Sequence, residues 1–74
     1  MTESELLMDM GDLLIEIMKV KNITVSELSR RTGMTRPLIY RYRSGTTYPT
    51  ARNLTRLLNG LNVSFNEIVN GGIK

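Results

Sequence analysis

The residues of this chain best suited to chemistry are seven arginines that lie between Arg30 and Arg56, in a stretch without any acidic residue. Guanidinium groups carry a planar fork of donors, and a basic block of this kind attracts phosphate and other anions. The first twenty residues have a net charge of −4 and the remaining residues +7. The charge alone favours a solvated surface, because charged patches are common, so the spacing of the arginines has to be considered.

Two of these arginines share one face of a short predicted helix between Thr35 and Gly45. Residues three and four apart lie on the same side of a helix, and the side opposite Ile39 and Tyr42 carries Arg36, Pro37, Tyr40, Arg41 and Ser44. Such a face, without any acid, favours a negatively charged partner. The start of the helix has two interpretations, because Thr35 is a good cap but proline disfavours helical geometry in the residue before it, which would make Arg36 the cap.

The chain offers little material for other chemistry. It contains no cysteine and no histidine, so it has neither a thiolate nucleophile nor the usual zinc ligands. No base is paired with a nucleophile, and we expect no enzymatic activity, no metal and no cofactor. No apolar run is long enough to span a bilayer, and the start lacks the features of a secretory signal. We therefore expect a cytoplasmic protein without membrane association.

The elements that must position the arginine face are predicted to be helices, since no segment shows strand alternation. Capping boxes begin at Thr2, Thr24 and Ser64, each with a glutamate three residues later. Thr50 is a further cap, and Gly33 and Gly45 are typical helix-closing residues. The 74 residues are expected to form one all-α domain of five helices, predicted at about 3–20, 25–32, 36–43, 51–59 and 65–70.

The first predicted helix carries more apolar residues than one buried face requires. Beside an inward stripe it has Leu7, Met8, Ile15 and Met18. Either these residues pack against a second protomer or another protein, or the small domain covers this helix more fully than usual; exposed apolar patches favour the first explanation. Gly11 either splits the helix or permits a close helix crossing.

The run from Met10 to Asn70, about four-fifths of the chain, resembles the lambda-repressor-like helix-turn-helix domains of phage and bacterial regulators, also called Cro-type or XRE-type. The segments that carry the resemblance are ITVSELSRRTG, MTRPLIYRYRSG with the YPT that follows, and LTRLLNGLNVSFNEIVNG. Three positions depart from the family pattern. Ser29 stands where alanine is usual, Arg43 where glutamate is frequent, and Pro37 where a side chain often reads bases.

The resemblance implies that the third helix lies in the major groove of double-stranded DNA. Arg36 and Arg41 would then be the strongest base readers, each able to take a guanine bidentately. Pro37 could offer only an apolar contact to a thymine methyl. Secondary base or phosphate contacts would come from Thr35, Tyr40 and Ser44. Contacts to the DNA backbone would come from Thr24 and Ser26, with further candidates in Arg31, Arg43, Thr46, Thr47, Tyr48 and Arg52.

The function that follows is a sequence-specific transcriptional regulator, expected to be a homodimeric repressor on a palindromic operator. Leu7, Met8, Ile15 and Met18 of the first helix are the predicted dimer or partner interface. The region of the fourth and fifth helices, which several relatives use, is the alternative dimer surface. The second hypothesis is a protein-interaction module of the antitoxin or antirepressor type, which binds a partner protein through the apolar first helix.

Overall fold

The computed structural model describes residues 3–64, with side chains from residue 10 onward, and this part of the chain consists of four helices without a strand. The helices are α1 (Glu3–Lys21), α2 (Val25–Thr32), α3 (Arg36–Ser44) and α4 (Ala51–Leu61). The second helix has the predicted bounds, and the others end one or two residues later than predicted. The predicted fifth helix, at 65–70, lies outside the described residues.

Threonine hydroxyls begin three of the helices. Thr24, Thr35 and Thr50 have extended backbones, and each side chain accepts a hydrogen bond from the backbone N–H three residues on, at 3.1, 3.4 and 3.2 Å. Because Thr35 is the cap of α3, Arg36 is the first helical residue. Proline at the second helical position removes only an N–H that has no partner within the helix.

The core lies where α1 and α4 meet the helix pair α2 and α3. Leu28, Ile39 and Leu61 are its most deeply buried large side chains. Tyr42 is a core residue, as its helical phase predicts, and only 5% exposed. Its hydroxyl accepts a hydrogen bond of 3.0 Å from Nδ2 of Asn53, so the buried polar atom is satisfied.

Glycines permit two close helix crossings. A Cβ on Gly11 would lie 2.5 Å from the backbone oxygen of Arg43 and 3.0 Å from that of Tyr42. The backbones of α1 and α3 therefore lie next to each other at this point, without a side chain between them. A Cβ on Gly60 would lie 2.7 Å from Cγ2 of Thr32, where α4 crosses α2. Since α1 continues through Gly11, the prediction of a close crossing is confirmed and the prediction of a split helix is wrong.

The position of Met18 in the structure shows that one part of the predicted interface is wrong. It is only 5% exposed and belongs to the core, so it cannot form a contact surface in this fold. The physical reason is that α1 packs against both α3 and α4, which buries a wider arc of the helix than a single neighbour would. Ile15 is half-buried, whereas the side chains of Leu7 and Met8 lie outside the described part.

Candidate functional site

The turn between α2 and α3 is held by hydroxyl groups and by a left-handed glycine. Gly33 has φ of 75°, a conformation that glycine adopts without strain. Ser29 donates from its hydroxyl to the backbone oxygen of Met34, and Thr32 donates to Leu28 and accepts from the N–H of Met34 at 3.2 Å. Serine in place of alanine at position 29 therefore fits and adds a hydrogen bond across the turn between the two helices.

One face of α3 points to solvent, and it carries the predicted reading residues. Ile39 and Tyr42 are turned into the core, which fixes the rotation of the helix. The exposed residues of the opposite face are Thr35, Arg36, Pro37, Tyr40, Arg41 and Ser44. Tyr40 is 54% exposed. Since Leu28 to Asn66 contains no acid, this face has no anionic residue of its own helix to neutralise it.

The N-terminal ends of α2 and α3 meet at one edge of this face. Nη1 of Arg36 donates to the hydroxyl of Ser26 over 3.3 Å, and both groups are exposed. A bond of this length between solvated groups is weak, so the arginine is free to leave it. The structure thus brings a predicted base reader together with a predicted backbone contact, and Thr24 lies at the start of the same helix.

The C-terminal end of α3 carries a second cluster of hydroxyls. Ser44 donates to the backbone oxygen of Arg41 at 3.1 Å, and its hydroxyl lies 2.8 Å from that of Thr46. Thr47 is half-buried, whereas Tyr48 and Arg52 are exposed beyond it. This cluster begins at the last residue of α3 and continues into the loop and the start of α4. It is therefore separate along the chain from the cluster at the start of α2.

Two arginines make hydrogen bonds to the backbone of another helix. Arg31 donates to the backbone oxygen of Gly60 at 3.0 Å and forms an ion pair of 2.6 Å with Glu27. Arg56 donates to the backbone oxygen of Thr32 at 2.6 Å. Cations are favourable at the carbonyl ends of helices, and these two link α2 to α4. Arg31 was a predicted backbone contact, and both of its terminal guanidinium nitrogens donate within the domain; Arg56 was not predicted, because only the helix crossing brings it to Thr32.

Arg43 has a different environment from the exposed arginines of α3. It is half-buried, and its Cζ lies 5.5 Å from the centre of the Tyr40 ring. Its Nε is buried and has no hydrogen-bond partner within the described residues. The site therefore contains three kinds of arginine, namely solvent-facing, fold-linking and ring-stacked.

The described residues contain no group of three or more side chains suited to holding a metal ion. No helix among them combines the length and apolar character that crossing a membrane requires.

Comparison with family models found a match to the Cro/C1-type HTH DNA-binding domain over residues 13–70. Comparison with curated proteins and with solved structures gave no significant match. The match covers the two joined helices, the arginine face of α3, α4 and the C-terminal half of α1, from residue 13 onward.

Proposed function

The chain belongs to the Cro/C1-type helix-turn-helix DNA-binding domains, and from this premise we propose that it is a homodimeric transcriptional repressor of a phage or a bacterium, acting in the cytoplasm on a palindromic operator. The observation that carries the proposal is the solvent-facing side of α3, with Arg36, Tyr40 and Arg41 exposed on a helix whose rotation is set by buried Ile39 and Tyr42.

The reading of bases is assigned to the exposed face of α3. Arg36 and Arg41 each take a guanine through O6 and N7. Tyr40 and the hydroxyls of Thr35 and Ser44 make secondary base or phosphate contacts, and Pro37 packs against a thymine methyl.

The positioning of the domain on the DNA backbone is assigned to residues on either side of that face. The hydroxyl of Ser26 and the capped start of α2 lie beside Arg36, so a phosphate there would sit next to the base that Arg36 reads. The remaining backbone contacts are Thr46, Thr47, Tyr48 and Arg52. Arg31 is assigned to the fold, because Glu27 and Gly60 hold its guanidinium.

The test begins with the selection of bound sequences from a random pool of duplex DNA. A homodimer selects two inverted half-sites about one helical turn, or a multiple of it, apart. Arg36→Ala and Arg41→Ala are expected to relax discrimination at particular base pairs by about 1 to 3 kcal/mol each. Arg52→Ala serves as the matched control, since loss of one phosphate contact weakens binding to all sequences alike. It also lowers the salt slope, the magnitude of the slope of log affinity against log salt concentration, by about 0.9.

Three results would contradict this assignment. The chain could show no duplex-DNA binding even at low salt, which would refute the whole proposal. The selected sites could lack inverted symmetry, which would refute the homodimer. The arginine variants and Arg52→Ala could behave identically, which would refute the division into readers and backbone contacts.

The dimer is proposed to form through α1, at Ile15 together with Leu7 and Met8, which the sequence predicts as parts of the same interface. A domain of this size gains stability from further burial. The alternative surface is around Leu54 of α4, which is half-buried and lines an apolar pocket with Leu13 of α1.

Charged substitutions distinguish these surfaces in sedimentation analysis. Ile15→Glu is expected to convert the dimer to a monomer. Val20→Glu, at an apolar residue 44% exposed on another side of α1, is expected to leave the mass unchanged. If Leu54→Glu alone produced monomers, the α4 surface would be the interface. If the wild-type chain were a monomer and co-purified with a stoichiometric partner lost in Ile15→Glu, the interaction-module hypothesis would replace the dimer.

A further inference from the structure

Tyr40 and Arg43 form a pair on α3 whose members have opposite exposure. They are three residues apart, so they are neighbours along one side of the helix. The cation centre of Arg43 lies 5.5 Å from the centre of the Tyr40 ring, within the distance of about 6 Å at which a cation is attracted to a ring face. Tyr40 is more than half exposed, whereas Arg43 is half-buried.

Arg43 faces α1 and the start of α2 across an open pocket. It lines this pocket together with the apolar residues Ile15, Met18, Ile23 and Val25 and the polar residues Lys19, Asn22 and Thr24. Its backbone is also confined, because a Cβ on Gly11 would lie 2.5 Å from its carbonyl oxygen. A helix crossing without space for one methyl group leaves little freedom for the base of this side chain.

One polar atom of Arg43 is buried and unpaired. Within the described residues its Nε has no hydrogen-bond partner, and no carboxylate there forms an ion pair with the side chain. Burial of an unpaired polar group is costly. The face of the Tyr40 ring supplies negative potential to the guanidinium of Arg43.

We propose that Arg43 is a positioning residue for Tyr40 rather than a contact to the DNA backbone, and that the pair holds the tyrosine ring ready for one base pair of the operator. This inference rests on the proposed function. An exposed side chain loses conformational freedom when it binds, and a ring already held by a neighbouring cation loses less. Arg43 therefore contributes to specificity at the base pair that Tyr40 contacts, without touching DNA.

The first test needs no DNA. In the free protein, the Hδ resonances of Arg43 are expected upfield of their random-coil positions because of the ring current of Tyr40, and the shift is expected to disappear in Tyr40→Leu. Random-coil positions for these protons in the folded wild-type protein would overturn the proposal. Because this measurement is independent of binding, its outcome remains informative even if the proposed function is wrong.

The second test is a double-mutant cycle of Arg43→Gln and Tyr40→Leu, measured on the selected operator and on its single-base-pair variants. Arg43→Gln is expected to reduce discrimination about two- to fivefold at the base pair that Tyr40 contacts. Discrimination at the pairs assigned to Arg36 and Arg41 and the salt slope are expected to stay unchanged. The effect of Arg43→Gln is expected to vanish in the Tyr40→Leu background, and Arg43→Lys, which keeps the cation, is expected to retain most of the discrimination.

A uniform loss of affinity for all sequences, with a salt slope lower by about 0.9, would show that Arg43 contacts a phosphate and would overturn the proposal. So would additive effects of the two substitutions. Thermal melting of each variant confirms that binding is measured on folded protein, and Arg43→Lys provides the comparison if Arg43→Gln unfolds. A wild-type chain that bound no duplex DNA would instead refute the proposed function.

Discussion

Replacement of Gly11 by alanine is expected to destabilise the domain, although alanine is the better helix former. The added Cβ would lie 2.5 Å from the carbonyl oxygen of Arg43 and 3.0 Å from that of Tyr42. Ordinary contact starts at about 3.4 Å, so the two helices would have to separate by roughly 1 Å. A backbone carbonyl within a helix cannot rotate away as a flexible side chain can.

The magnitude follows from two opposing terms. Exchange of glycine for alanine within a helix favours folding by about 1 kcal/mol. Overpacking of a close contact costs about 1 to 3 kcal/mol, and the upper end applies here because both facing atoms belong to backbone. The net loss is about 2 kcal/mol, which corresponds to a melting temperature lower by about 8 to 16 °C for a domain of this size.

The assay is thermal or urea unfolding followed by circular dichroism, with Asp12→Ala as the matched control. Asp12 is the exposed neighbour of Gly11 on α1, so its replacement improves helix propensity without entering the crossing. The control is expected to be as stable as the wild type or slightly more so. If Gly11→Ala raised the melting temperature, α1 and α3 could not cross as closely as described, and the anchoring of Arg43 by this crossing would be wrong as well.

Three further substitutions test contacts between or within helices. Arg56→Met removes the hydrogen bond to Thr32 and is expected to cost about 1 kcal/mol in urea unfolding, discounted for exposure; a changed salt slope of DNA binding would show instead that this arginine contacts a phosphate. Tyr42→Phe leaves Nδ2 of Asn53 without its partner and is expected to cost about 1 kcal/mol, and an unaltered unfolding midpoint would contradict that bond. Thr50→Ala removes the cap of α4 and is expected to cost about 1 kcal/mol, whereas Thr50→Ser, which keeps the hydroxyl, is expected to restore the midpoint.

The features that depend on neighbours within one helical turn could be predicted from the sequence. Capping by Thr24 and Thr50, closure at Gly33 and the bounds of α2 depend on residues three or four positions apart, so no knowledge of the remaining fold is needed. The same holds for the face of α3, because Ile39 and Tyr42 define its buried side and leave Arg36 and Arg41 on the other.

The interaction partners of the arginines, by contrast, were decided by tertiary structure. The linear pattern presents seven similar cations, but Arg31 and Arg56 are held by carbonyl groups of other helices, and Arg43 lies against α1 and over the Tyr40 ring. Met18 was placed wrongly on a contact surface for the same reason. Helical periodicity specifies which residues share a face, but burial and pairing depend on how the helices cross. Here two glycines permit the close crossings, because they have no side chain to oppose the approach.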